Sequence, residues 1–244
     1  MILLLGGTAE ARDLARRLVD AGAPVLTSLA GATRDAARVA GRVRVGGFGG
    51  EEGFRQVLAA EGITRIVDAT HPFAHRISAR TARIASAMGL PYLQLLRRPW
   101  EAGPGDIWHE IATEEEAARL IPPGATVFLA TGRQTLDRFK GLEGRRVICR
   151  QIDPPDRPFP FEGGEYLIGR PPFPVEREEA LFRELGVDWL VVKNAGGAAS
   201  RPKLDAARQL GLPVAMIARP PQPKGVPRVE TVDEAFDWAR TGWR

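Results

Sequence analysis

The segment Asp68-Ala69-Thr70-His71-Pro72-Phe73-Ala74-His75 places two of the chain's three histidines four positions apart around a proline. A metal centre would need a third ligand, and Pro72 sets His71 ahead of any helix that carries His75, so the two do not share a helical face. No metal site is expected. His71 stands as the candidate general acid, because imidazole is the side chain whose charge changes near neutrality. Thr70 and Phe73 flank it as candidates to position a ligand.

A second constellation, Gly6-Gly7-Thr8-Ala9-Glu10-Ala11, follows the apolar run Ile2 to Leu5 and opens a segment of helical periodicity. Backbone N–H groups and a helix dipole at such a turn receive the pyrophosphate of a dinucleotide. The match to G-x-G-x-x-G/A is partial, since Thr8 occupies the middle glycine position. After the next apolar run, Thr27 to Arg34 carries hydroxyls and an arginine but no acid. An NAD site commonly places a carboxylate there for the ribose 2′-hydroxyl. Ser28, Thr33 and Arg34 instead suit the 2′-phosphate of NADP, with Arg34 as the charge partner.

The remaining chemistry is cationic. Arg98 and Trp100, then Gly132-Arg133, then Lys193-Asn194-Ala195-Gly196-Gly197 with Lys203, and finally Arg219, all fall at turns between apolar runs. Arginine and lysine beside glycine turns suit carboxylate or phosphate recognition, and exposed charges at helix starts would give the same pattern. No Ser-His-Asp ordering, paired carboxylates or P-loop sequence is present, so hydrolase and NTP-driven chemistry lack their minimal parts.

Composition narrows the classes further. The 244 residues are 44% hydrophobic and 26% charged, enough apolar content for a buried core. Cys149 is the sole cysteine, which excludes an intramolecular disulfide and a cysteine-rich metal site; a buried strand position is expected for it. A net charge of +4, spread along the chain, is not the basic stripe of a nucleic-acid binder. No run has the length of a membrane span, and the chain is expected to be soluble and cytoplasmic.

These residues need elements that place them together. The spacing predicts strands at 2–5, 24–29, 43–45, 65–68 and 91–95, with helices at 9–21, 51–60 and 74–88 between them. Residues 97–112 read as loop, and a division near residue 105 is expected. Beyond it, helices at 113–120, 134–140, 175–185, 202–210 and 232–239 alternate with strands at 126–130, 146–150, 189–192 and 213–217. The stretch from Asp153 to Pro174 holds seven prolines and reads as an irregular functional loop. Apolar strands alternating with helices predict α/β architecture with parallel sheets covered on both faces. Ligands of such sheets bind beyond the carboxyl ends of the strands, where nearly all the residues above fall.

Taken together, the blocks Leu3 to Arg12, Asp68 to Ala74, Arg98-Pro99-Trp100, Thr131 to Gln134, Gly169 to Phe173, Lys193 to Gly197 with Lys203, and Arg219-Pro220 resemble the precorrin-6A reductase family of cobalamin biosynthesis. The resemblance implies two Rossmann-like parallel-sheet domains with the ligand cleft between them: residues 1–105 binding NADP and residues 106–244 binding substrate. It implies an NADPH-dependent oxidoreductase that reduces a carbon–carbon double bond of precorrin-6A to give precorrin-6B. The partner is then a tetrapyrrole macrocycle bearing many acetate and propionate carboxylates, with neither nucleic acid nor membrane involved. Gly6, Gly7, Thr8, Ala9, Ser28, Thr33, Arg34 and Thr70 fall to the cofactor. His71, Phe73, Arg98, Trp100, Gly132, Arg133, Lys193, Asn194, Gly196, Gly197, Lys203 and Arg219 fall to the substrate. The other readings that the residues allow are a reductase of another small anionic substrate, a non-catalytic nucleotide or tetrapyrrole binder, and a methyl transferase of the same pathway.

Overall fold

A computed structural model describes residues 1–31 and 39–241. It divides into two compact units, residues 1–98 with 220–244, and residues 99–219.

The first unit is built on β1 (Ile2–Leu5), β2 (Val25–Leu29), β3 (Arg42–Val45), β4 (Arg65–Asp68), β5 (Tyr92–Leu95) and β12 (Arg228–Val229). Their order is β12-β5-β4-β1-β2-β3, and every pairing is parallel. Successive side chains of a strand point to opposite faces, so each central strand supplies both layers. Ile2, Leu4, Val25 and Val67 pack under α1 (Ala9–Asp20) and α7 (Val232–Arg240), while Leu3, Leu5, Leu26 and Ile66 pack with Phe54 and Leu58 of α2 (Gly50–Ala60) and Ile84 and Ala85 of α3 (His75–Ala87). This accounts for the unbroken apolar character of β1. A capping box between Thr231 and Glu234 starts α7.

The second unit repeats the plan with β6 (Trp108–Ile111), β7 (Thr126–Leu129), β8 (Arg146–Gln151), β9 (Gly164–Ile168), β10 (Trp189–Lys193) and β11 (Val214–Ile217), ordered β6-β11-β10-β7-β8-β9 and again all parallel. On one face, Phe128, Ile148, Leu190, Val192 and Met216 meet Phe182 of α5 (Val175–Leu185) and Leu204 of α6 (Pro202–Leu210). A short α4 (Ala117–Leu120) follows a 3-10 turn at Glu114–Glu116, and Arg133–Leu142 is 3-10 in character with a break at Thr135, not the expected α-helix. Cys149 lies buried in β8, as expected for an apolar strand position, and burial pushes its thiol up to about 11.

The expected division near residue 105 differs from this partition at the carboxyl terminus. Residues 220–244 belong to the first unit because β12 extends the sheet beyond β5 and α7 lies on α1. Three strands arise where loop was expected: β6, β9 and β12. All three lie at sheet edges, where one side of the strand has no neighbour and little apolar surface is buried.

Candidate functional site

In each sheet the strand order reverses direction once, between β1 and β4 and between β7 and β10. Loops leaving neighbouring strands in opposite directions there open a crevice. In the first unit these are the β1–α1 turn and the β4–α3 loop, both singled out by the sequence.

The β1–α1 turn follows from its residue types. The Gly6 N–H bonds to the Ser28 carbonyl at 2.9 Å, and a Cβ on Gly6 would meet Thr27 Cγ2 and Leu29 Cδ2 at 3.1 Å, so glycine lets the turn lie against β2. Gly7 adopts φ +116°, a conformation that glycine takes without strain, and a Cβ there would project into open space. Thr8 is the N-cap of α1: its hydroxyl accepts from Ala11 N at 3.1 Å and donates to Ala69 O at 2.7 Å. The hydroxyl expected near a ligand is thus the clasp that joins the two crevice loops. Ala9 and Glu10 begin the helix, and an ion pair of 2.8 Å from Arg97 offsets the Glu10 carboxylate at this electropositive end.

In the β4–α3 loop, Asp68 is buried and accepts three bonds: from Tyr92 Oη at 2.8 Å, from Thr70 N at 3.1 Å and from Thr70 Oγ1 at 2.7 Å. Burial, and then the Asp68 charge, raise the pKa of Tyr92 far above its ordinary value, so it remains a donor. Thr70 is therefore held in place by Asp68. His71 stands exposed, its Nδ1 accepting from Phe73 N at 3.3 Å, which leaves the proton of the neutral ring on Nε2. Its ring lies 5.8 Å from that of Phe73. Gln222 Nε2 donates to Pro72 O at 2.9 Å, a support from the carboxyl-terminal segment that local sequence patterns do not reveal.

Beside the end of β2, Ser28 is buried and its Oγ accepts from Arg44 Nη1 at 3.3 Å. Arg44 also donates to the carbonyls of Gly46 and Gly47, at 2.9 and 2.7 Å, and its guanidinium lies 4.0 Å above the Phe48 ring. Sequence reasoning passed over Arg44, whose place opposite Ser28 comes from the pairing of β2 with β3. Thr33 and Arg34 lie outside the described residues.

In the second unit, the expected cations and turns are largely bound to one another. Asn194 grips Trp100, with Oδ1 accepting from its N–H at 2.8 Å and Nδ2 donating to its carbonyl at 3.0 Å. Trp100 Nε1 donates to Gly197 O at 2.9 Å, and Arg219 donates to the carbonyls of Asn194 and Ala195 at 2.7 and 2.9 Å. These side chains shape the loop after β10, where Gly196 and Gly197 both have positive φ. Lys193 donates to Thr135 Oγ1 at 3.1 Å and lies 3.6 Å from the buried Glu114; burial lowers its pKa, opposed by that carboxylate. Arg133, beside the Gly132 turn, pairs with Asp156 at 3.3 Å where both are exposed. In the first unit, Arg98 pairs with Glu230 at the surface.

Lys203 differs from these. It lines a cavity of about 210 Å³ with Gln151, Arg150, Glu178, Phe173 and Ser200, and its ammonium donates to the Ser200 carbonyl. Burial, and then the neighbouring Arg150 charge, push its pKa down to about 8. Among the described residues, no group of three or more His, Cys, Asp and Glu could hold a metal, and no helix is long and apolar enough to cross a membrane.

The chain matches the family described as Precorrin-6x reductase CbiJ/CobK over residues 1–240. It is 46% identical to a precorrin-6A reductase from Rhodococcus erythropolis over 98% of this chain and 97% of that protein. A cobalt-precorrin-6A reductase from Priestia megaterium is 32% identical over 90% of this chain and 91% of that protein. A solved structure of a CobK precorrin-6A reductase superposes with a TM-score of 0.91 at 38% identity, covering 99% of this chain and 97% of the other. With the same doubled parallel-sheet plan and a family match along nearly its whole length, the chain belongs to the precorrin-6x reductase family.

Proposed function

We propose that this chain reduces one double bond of precorrin-6A, the metal-free macrocycle, to give precorrin-6B, with NADPH as the reductant. The observation that carries this reading is the end-to-end match at 46% identity to a precorrin-6A reductase; the relative named for the cobalt form stands at 32%.

The β1–α1 turn fits a dinucleotide. Gly7 leaves open space where a side chain would stand, and the first N–H groups of α1 face the crevice at the positive end of the helix dipole. Gly6, Gly7 and Ala9 are the proposed pyrophosphate contacts, with Thr8 holding the turn. Ser28, Thr33 and Arg34 are proposed for the 2′-phosphate, and Arg44 joins them through its bond to Ser28. When bound, NADPH supplies a hydride to the carbon of the double bond that it faces. The chain's task is to orient the macrocycle and exclude water. Thr70, His71 and Phe73 form the proposed face toward the reacting groups, and His71 Nε2 is the candidate proton source for the partner carbon.

Lys203 is the cation proposed to receive a substrate carboxylate most directly, through a charge-assisted hydrogen bond. Arg133, Arg98 and Lys193 are proposed to do so by exchanging their present partners. Arg219, Asn194, Trp100, Gly132, Gly196 and Gly197 are proposed to shape the loops that meet the macrocycle.

The test is anaerobic incubation of the chain with precorrin-6A and NADPH, following nicotinamide absorbance and the mass of the product. Oxidation with a gain of two hydrogens is expected; absence of oxidation with authentic substrate overturns the proposal. For the cofactor preference, Arg44→Ala is expected to weaken NADPH binding about tenfold while leaving NADH binding within a factor of about two. Fluorescence titration with each cofactor measures both, and equal losses would overturn the assignment of Arg44 to the 2′-phosphate.

A further inference from the structure

β8 ends on two adjacent polar residues, Arg150 and Gln151, that enter the wall of the 210 Å³ cavity at the carboxyl end of the second sheet. Their environments differ sharply. Arg150 is buried and makes a two-pronged ion pair with Glu178 of α5, both bonds 2.7 Å. Its guanidinium is covered by the Phe173 ring at 4.1 Å, and the absence of a side chain at Gly169 keeps that cover in place, since a Cβ there would meet Phe173 at 3.2 Å. Arg150 and Glu178 cancel each other's charge, and each carboxylate oxygen of Glu178 accepts one N–H of the guanidinium.

Gln151 is 7% exposed, yet neither its Oε1 nor its Nε2 has a hydrogen-bond partner among the described residues. Native structures seldom bury an amide in this condition without something to receive it. The third charged group of the wall is Lys203, carried in the first turn of α6, which forms no ion pair with a described carboxylate, donates to the neutral carbonyl of Ser200 and lies 5.8 Å over the Trp100 ring. The wall therefore has a net charge of one positive unit and an unused amide. A ligand group that answers both is a single anion with oxygen acceptors.

We propose that this cavity is a subsite for one ionised carboxylate arm of the substrate, with Lys203 Nζ and Gln151 Nε2 as its donors. An ammonium has three N–H groups, enough for Ser200 O and the carboxylate oxygens, and a turn of the Gln151 side chain toward the cavity brings its amide, otherwise closed to solvent, onto the same group. Size supports an arm over a whole ligand. The cavity is below the roughly 300 Å³ at which pockets begin to enclose a drug-sized molecule, and well above the volume of one water, about 30 Å³. The subsite rests on the proposed function only for the identity of what the arm is attached to.

The experiment uses the full chain with its glutamine side chains labelled with nitrogen-15 and propionate as the probe, an isolated carboxylate arm. The Gln151 amide resonance is identified by its loss in Gln151→Leu. Titration with propionate is expected to move that resonance in the wild type and not in Lys203→Met. In parallel, the affinity for precorrin-6A without cofactor is expected to fall about tenfold in Lys203→Met and about fivefold in Gln151→Leu, with NADPH affinity unchanged. Wild-type affinity should decline as pH rises through about 8, where Lys203 loses its proton between Arg150 and Glu178, and the Lys203→Met profile should be flat there. An unmoved Gln151 resonance at saturating propionate, or wild-type affinity for precorrin-6A in both variants, overturns the subsite while leaving the proposed reductase activity intact. A moved resonance in a protein that neither binds nor reduces precorrin-6A supports the subsite and overturns the proposed substrate.

Discussion

Replacing Glu178 by alanine should lower the unfolding free energy by about 3–5 kcal/mol, the usual cost of leaving a buried charge without its partner. Arg150 and Glu178 are both buried, and the guanidinium lies 4.1 and 5.1 Å from the Phe173 and Phe128 rings, so loss of the carboxylate leaves a cation largely surrounded by apolar atoms. Urea denaturation at fixed pH reads the effect. The double replacement Arg150→Met with Glu178→Leu should recover most of the loss, because it removes both desolvation penalties together. A single Glu178→Ala variant within about 0.5 kcal/mol of wild type would show that the pair is solvated in solution and carries no net stabilisation.

Thr8→Val should act on binding more than on stability. The valine keeps the shape of the side chain but loses the cap to Ala11 N and the bond to Ala69 O that ties the two crevice loops of the first sheet. Loss of an N-cap costs about 1 kcal/mol, and the loop bond adds a similar amount. Affinity for NADPH should fall by roughly 10- to 100-fold, since the turn that presents its N–H groups is no longer held. Thr8→Ser retains the hydroxyl and should remain close to wild type in both respects. Isothermal titration with NADPH, paired with thermal unfolding, separates the two consequences. Equal NADPH affinity in Thr8→Val and Thr8→Ser would place the cofactor elsewhere.

Where the two sheets bury strands on both faces, the sequence announced them: Ile2 to Leu5, Arg65 to Asp68 and Trp189 to Val192 emerge within a residue of expectation because their buried inner positions, such as Leu3, Leu4, Ile66, Val67, Leu190 and Val191, form uninterrupted apolar runs. β6, β9 and β12 escaped for the converse reason. Trp108–Ile111 exposes His109 and Glu110, and Arg228–Val229 is two residues long, so neither carries a periodic signal. The helix expected at 134–140 has the right apolar spacing, with Leu136 and Phe139 buried, but the break at Thr135 leaves 3-10 geometry. At the strand-end loops, residue types located the crevices, and the fold adds structural partners for several of the expected residues. Thr8, Asn194 and Arg219, expected as ligand contacts, also bind other loops, through partners 25 to 94 residues away, while Thr70 is held by Asp68 within its own loop. Gln151 was invisible because an amide at a strand end is unremarkable until its surroundings are known. Arg44 was hidden in a short edge strand whose register with Ser28 only the folded sheet defines.

The return of residues 220–244 to the first sheet sets an order of events during synthesis. Residues 99–219 hold all six strands of the second sheet in one stretch, so that unit can close as soon as Arg219 leaves the ribosome. The first unit, although begun first, lacks β12 and the α7 cover over α1 until residues 228–240 have been made. For most of translation it presents β5 as an open strand edge and an uncovered apolar patch around Leu14 and Leu18, the surfaces on which nascent chains pair wrongly or recruit chaperones. The first unit is thus completed after the second, and the crevice between its β1–α1 turn and β4–α3 loop reaches its final shape only once β12 and α7 have been made.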